Sequence, residues 1–359
     1  MELRHLRIEN LRSIGHAEID LSPGWNFLVG PNGAGKTSLL EAAFVLSHGR
    51  SFRASSRDAL TRHGAGGYSV FGDFLSMAGS RERVGLARAG GRLEARLNGD
   101  AVAASELMRH TAVLCFEPGS HELISGTSEE RRRFIDWGVF HVEHELLATW
   151  RRYQRALKQR NAGLRLARPS SELDSWDHEL VAAAEPLTRM RASYFGRLAP
   201  LVANLMSRVL AELGEPRFVF QPGHDPGRDL ADVLAESRSR DLARTYTGAG
   251  PHRADWTIAF EAAPRREHLS RGQEKLCAFA CVMGQAALFA QTRAEWPVIA
   301  LDDLASEMDE DHQRRIVAEV GASGAQVLAT GTHEPPVIAA SGAPIARFHV
   351  EQGGFTRLL

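Results

Sequence analysis

Gly30-Pro-Asn-Gly-Ala-Gly-Lys36-Thr37 satisfies the spacing G-x-x-x-x-G-K-[ST], and each position has a chemical reason. Gly30, Gly33 and Gly35 let backbone N–H groups turn toward phosphate, Lys36 reaches the outer phosphates of a nucleoside triphosphate, and the Thr37 hydroxyl is a Mg²⁺ ligand. Pro31, Asn32, Ala34 and Ser38 complete the loop that would surround ATP. A second feature is the apolar run Trp296-Pro-Val-Ile-Ala-Leu301, which ends in Asp302-Asp303. Asp302 suits the metal, opposite Thr37, and Asp303 suits polarisation of an attacking water. By themselves, two aspartates after a strand read as a solvated turn; beside a phosphate loop they read as a metal site. A third feature is Leu269-Ser270-Arg271-Gly272-Gln273 ahead of a predicted helix over 276–290. Ser270 offers a cap hydroxyl and Gly272 lets backbone approach an anion, so this is a second phosphate-competent helix start.

The elements that must position these groups follow from periodicity. The apolar residues 25–29 predict a buried strand and residues 38–46 a helix, the strand, loop and helix context that the phosphate loop needs. Residues 2–9 and 17–21 alternate as strands, and 68–74, 83–88 and 92–97, with Asn98-Gly99 closing the last, predict an antiparallel sheet flanking the nucleotide core. Arg50 and Arg53, in Gly49-Arg-Ser-Phe-Arg53, either approach phosphate or DNA or lie in a solvated loop. Residues 112–116 form a short buried strand that Glu117-Pro118-Gly119 ends.

From there the texture becomes helical. Thr127-Ser-Glu-Glu130 fits a capping box. Leu146, Trp150, Tyr153 and Leu157 fall on one arc at about 100° per residue, predicting a packed face, with Arg151, Arg155 and Lys158 nearly opposite. That basic face is either a solvated helix surface or a contact for the DNA backbone. Residues 173–194 step by three and four as packing helices do, but Pro186 predicts a kink or break, at a cost of ~3 kcal/mol, with a second helix over 200–213. The expected organisation is an α/β ATPase-like domain, a mixed sheet with flanking antiparallel strands, from 1–117 and 246–359. An inserted helical lobe spans 118–245, with the sheet resuming at 256–260.

The 359 residues carry a net charge of −1 and 24% charged residues, which excludes a uniformly basic coat-like DNA binder. Cys115, Cys277 and Cys281 lie in apolar surroundings and read as buried thiols, not as a metal site. No apolar run is long enough to span a bilayer, and the expected location is the cytoplasm, at the nucleoid when bound to DNA.

The three motifs, with Ser306-Glu-Met-Asp309 behind the aspartate pair, resemble those of ABC-type ATPases in the branch that includes the SMC proteins. Within it the chain resembles, end to end, the RecF family of bacterial recombination-repair ATPases. The resemblance rests on Asn10-Leu-Arg12-Ser, the phosphate loop, Gly49 to Arg53, Glu129 to Trp137, Gly250-Pro-His-Arg253, Leu269 to Lys275 and Leu301 to Asp309. It implies a head-to-tail dimer in which Ser270, Gly272 and Gln273 of one copy cap the ATP held by Lys36 and Thr37 of another, with Asp309 linking the two sites. It also implies roles in DNA replication, recombination, repair and the SOS response. DNA would be bound at single-strand gaps, at ss/dsDNA junctions and as duplex; RecO and RecR would be partners, and ATP turnover would be weak and used as a switch. Asp303 stands where many ABC ATPases have glutamate, one methylene longer, which fits slow turnover. Phe116-Glu117-Pro118 stands where a glutamine usually ligates Mg²⁺, and His333 either senses nucleotide or lies in an exposed loop. The competing class is the nucleotide-binding subunit of an ABC transporter, which shares all three phosphate motifs but has no use for a basic lobe. A small-molecule P-loop kinase leaves Leu269 to Gln273 unexplained.

Overall fold

The computed structural model describes all residues except 55, 56, 305–307, 341, 343 and 359. The chain forms two compact units, residues 1–120 with 275–359, and residues 121–274. The return to the first unit therefore falls at Lys275, inside the helix Arg271–Arg293, and not at 246.

The first unit holds two six-stranded sheets. One runs in the order Gly354–Leu358, Ile345–Glu351, Trp25–Val29, Val327–Gly331, Val298–Leu301, Val113–Phe116. Its first pair is antiparallel and the rest are parallel. Val298–Leu301 and Val327–Gly331 are buried at every position, as strands covered on both faces must be. The helix Lys36–His48 leaves the end of Trp25–Val29 and stops at Gly49, whose left-handed φ of 62° closes it; Phe279 of the helix Arg271–Arg293 packs edge-on against Phe116. The second sheet is antiparallel, in the order Ile14–Asp20, Glu2–Leu11, Gly67–Leu75, Arg81–Ala89, Arg92–Leu97, Asp100–Val102. Asn98 and Gly99 take φ of 53° and 100°, the double left-handed turn that an Asn-Gly hairpin requires.

The second unit is mainly helical: Ser128–Val142, Leu146–Arg165, Ser170–Val209 and Leu230–Arg244. Three of its features depart from expectation. Residues 256–260 do not rejoin the main sheet; the strand Asp255–Ala259 pairs with Arg217–Gln221 in a two-stranded sheet. Its Trp256 packs against Phe195 and Phe134 and donates its indole N–H to the Arg131 carbonyl at 3.2 Å. Pro186 neither splits the chain into two helices nor ends one, since Ser170–Val209 runs 40 residues through both Pro186 and Pro200. The buried row Leu180, Ala183, Leu187, Arg191, Tyr194 and Leu198 continues on both sides of the proline, and that burial outweighs one missing N–H. Trp150 leaves the packed arc and is 39% exposed, while Leu146, Tyr153 and Leu157 are buried as expected. No helix among the described residues is long and apolar enough to cross a membrane.

Candidate nucleotide site

The phosphate loop hangs from the end of Trp25–Val29, its backbone turned by Gly33 and Gly35 at φ of 81° and 112°. Gly30 is required for a different reason: a Cβ there would sit 2.2 Å from the Val350 carbonyl oxygen. Lys36 is buried and donates from Nζ to the Gly30 and Pro31 carbonyls at 2.7 and 2.9 Å. Burial pulls its pKa down, and Asp303 and Asp302 push it back up, so the ammonium lies in the field of both carboxylates. Thr37 Oγ1 donates to Asp302, 2.9 Å from Oδ1 and 3.1 Å from Oδ2. The helix start and the strand end thus meet through two oxygen-bearing groups that arrive from positions 265 residues apart.

Asp302 is held from the other side by Thr330, whose hydroxyl donates to Oδ1 at 2.7 Å and accepts the Asp303 N–H at 3.0 Å. Burial raises the Asp302 pKa, and the hydrogen bonds from Thr330 and Thr37 and the charge of Arg53 oppose the rise. Asp303 takes a left-handed φ of 51°, an unusual conformation for a residue with a side chain. Together these residues line a cleft of about 380 Å³. It gathers Asn32, Gly33, Gly35, Lys36, Thr37, Ser38, Asp302 and Asp303, as the motifs predict, and adds Arg12, Ser13, Arg53 and Thr330.

Two of the added residues, Arg12 and Arg53, are positioned by one buried acid. Glu41, fully buried on the helix Lys36–His48, accepts from Arg12 Nε at 2.7 Å and Nη2 at 2.8 Å, and also from the Ser51 hydroxyl. Ser51 Oγ in turn accepts the backbone N–H groups of Arg53 and Ala54 at 2.9 and 2.8 Å. Glu41 therefore sets both Arg12 and the turn that brings Arg53 to the cleft. A lone glutamate within the otherwise apolar run Leu39 to Leu46 is the sequence signal for this arrangement.

The other predicted residues stand outside the cleft. Ser270 and Gln273 form a reciprocal capping box, with Ser270 N–H donating to Gln273 Oε1 at 3.0 Å and Gln273 N–H to Ser270 Oγ at 3.3 Å. Around Gly272 the space that a Cβ would take is open, so the helix start is exposed and unobstructed. Asp309 caps the helix Glu310–Ser323, accepting the His312 N–H at 2.9 Å. Ser306 and Glu307 of the same motif lie outside the described residues. Glu117 accepts the Gly119 N–H at 2.7 Å and lines a crevice with Lys275, Asp302 and Asp303. His333 is exposed, its Nδ1 3.2 Å from Thr332 Oγ1, and is not among the cleft residues. Arg151, Arg155 and Lys158 are all exposed on the helix Leu146–Arg165.

A parallel sheet carrying a phosphate loop, a metal-competent aspartate two strands away and a serine-capped signature helix define a P-loop ATPase head of the ABC type. Comparison with known proteins narrows the class. The family model described as RecF/RecN/SMC N terminal domain matches residues 2–355. The chain is 47% identical over 365 residues to the DNA replication and repair protein RecF of Xanthomonas euvesicatoria pv. vesicatoria (strain 85-10), with 99% of each chain covered. It is 46% identical over 359 residues to that of Stenotrophomonas maltophilia (strain R551-3), with 98% of each covered. Among solved structures, the recombination mediator protein RecF-ATP in the RecFOR pathway superposes with a TM-score of 0.89 at 22% identity, covering 99% of this chain and 97% of that one. An Smc head bound to the C-winged helix domain of ScpA superposes with a TM-score of 0.61 at 16% identity, covering 100% and 97%. The chain belongs to the RecF family.

Proposed function

We propose that this chain is an ATP-dependent DNA-binding protein of replication and recombinational repair, which closes into a head-to-tail dimer on ATP and reopens on slow hydrolysis. The observation that carries the proposal is the Thr37–Asp302 contact beside the phosphate loop, together with relatives at 46–47% identity named as DNA replication and repair proteins. Thr37 Oγ1 and the Asp302 carboxylate are hard oxygen donors set side by side, and Mg²⁺ in nucleotide sites uses one or two such protein oxygens with phosphates and water for the rest. The donor set fits, and a bound Mg²⁺ would neutralise charge on the phosphates.

Lys36 and the loop N–H groups would hold those phosphates, and Arg12 and Arg53 add positive charge at the cleft wall. Asp303, beside the metal-competent carboxylate, would orient and polarise the attacking water. The exposed Ser270–Gln273 helix start is a phosphate-binding terminus, suited to the triphosphate held by a second copy; Asp309 would relay between the two sites. The DNA bound would be single-strand gaps, ss/dsDNA junctions and duplex, with RecO and RecR as the partners that load recombinase, in the cytoplasm at the nucleoid. Arg151, Arg155 and Lys158 supply the polyanion contact, which a transporter subunit would not need.

The test is paired. Asp303→Asn should slow Mg-dependent ATP hydrolysis by about 100-fold or more, the usual contribution of a positioned base, while retaining ATP. Charge reversal at Arg151, Arg155 and Lys158 should abolish salt-sensitive binding of duplex DNA. Hydrolysis at the wild-type rate in the first, or unchanged DNA binding in the second, would contradict the assignment.

A further inference from the structure

Gly250-Pro-His-Arg253 plays no part in the nucleotide cleft, yet buried polar groups converge on it from several elements of the second unit. Arg191, paired with Asp136, donates from Nη1 to the Pro251 carbonyl at 2.7 Å, and Arg132 donates to the Ala254 carbonyl at 2.8 Å. His252 donates from Nε2 to the Thr247 carbonyl at 3.0 Å, which leaves Nδ1 to accept the Tyr153 hydroxyl at 2.6 Å. Thr247 is itself pinned by Arg160 and Asn161. So many fixed partners hold the backbone of 247–254 in one place, and what they present to solvent is the side chain of Arg253.

The Arg253 guanidinium lies over the ring of Tyr246, 5.3 Å from its centroid, and the tyrosine is 41% exposed. The nearby acids are already engaged. Asp241 is buried against Arg160, and Asp255 accepts from Nε and Nη2 of Arg131. Arg240 and Arg244, by contrast, sit one turn apart at the exposed end of the helix Leu230–Arg244, just before Tyr246, with no ion pair among the described residues. Like charges at i,i+4 repel one another, and the acid one turn earlier, Glu236, is held by Arg228. Arg240, Arg244 and Arg253 are all exposed, although the chain as a whole is nearly neutral.

A guanidinium over an exposed aromatic ring, with two further exposed arginines two and six residues before that tyrosine in the chain, suits an unpaired base and its flanking phosphates. We propose that Tyr246 and Arg253 form a stacking contact for single-stranded DNA, with Arg240 and Arg244 taking the adjacent phosphates. This rests on the DNA-binding function proposed above and assigns a separate surface to the unpaired strand.

The test compares oligothymidine with duplex DNA of the same length, titrated with Mg-ATP present by fluorescence anisotropy at several salt concentrations, for full-length wild type, Tyr246→Ala, Tyr246→Phe and Arg240→Ala/Arg244→Ala. Tyr246→Ala should bind oligothymidine roughly 5- to 150-fold more weakly, the range for removal of one stacked base, with duplex affinity within about twofold; Tyr246→Phe should restore binding. The double arginine variant should flatten the salt dependence, its log–log slope falling by about 0.7 for each phosphate no longer neutralised. Wild-type protein that binds neither DNA would overturn this proposal and the DNA-binding function together. Wild-type binding with an undiminished Tyr246→Ala, or an equal loss on duplex, would overturn the stacking contact alone.

Discussion

His252 shows how a single side chain ties the second unit to pH. Both nitrogens have partners, the Thr247 carbonyl and the Tyr153 hydroxyl, and in the neutral ring Nε2 donates to the first while Nδ1 accepts from the second. Burial lowers its pKa to about 4, while burial also pushes the Tyr153 phenol up and keeps it a donor. In the unfolded chain the ring titrates near 6.5. Its contribution is therefore complete above about pH 6.5 and drains away as pH falls toward 4, by on the order of 3 kcal/mol in total. Urea unfolding of wild type and His252→Gln at pH 7.5, 6 and 4.5 should show a stability gap that narrows as pH falls; a constant gap would contradict the neutral-ring assignment. Neither Tyr153 nor Thr247 can be tied to His252 by reading along the chain, because the partners lie on different elements. The same holds in the cleft. Lys36, Thr37, Asp302 and Asp303 are legible because their chemistry sits in contiguous spacings, whereas Thr330 and Arg12 reach Asp302 and Glu41 only through tertiary packing.

Helices and strands are legible to the extent that local chemistry decides them. Asn98-Gly99 names its own turn, because both residues must take positive φ. Asp255–Ala259 reads as a strand but carries no mark of its partner, and it pairs with Arg217–Gln221 instead of the main sheet. Pro186 signals a helix break, yet the apolar row on either side is buried through it; tertiary packing overrides the local rule. Two glycines on these helices test how tight that packing is. A Cβ on Gly138 of Ser128–Val142 would fall 1.9 Å from the Tyr194 hydroxyl, whereas Gly196 of Ser170–Val209 has nothing within 4 Å. Gly138→Ala should cost about 1–3 kcal/mol, and Gly196→Ala should gain up to about 1 kcal/mol from helix propensity. Denaturant midpoints of the two variants should move in opposite directions, and a stabilised Gly138→Ala would refute the close helix contact.

For the molecule as a whole, the proposed function requires that a single copy hold the cradle of one nucleotide site and the cap of another. Lys36, Thr37, Asp302 and Asp303 form the cradle in the first unit. Ser270 and Gln273 form an exposed capped helix start in the second, with open space around Gly272. The central claim is that ATP joins the cradle of one copy to the cap of another. It is tested most directly by sedimentation of Asp303→Asn with and without Mg-ATP, each with and without gapped duplex, beside the same protein carrying Lys36→Arg as well. A dimer that forms only with ATP, binds the gapped duplex and disappears with Lys36→Arg is the predicted result; a monomer under every condition, or full dimerisation without Lys36, would contradict it.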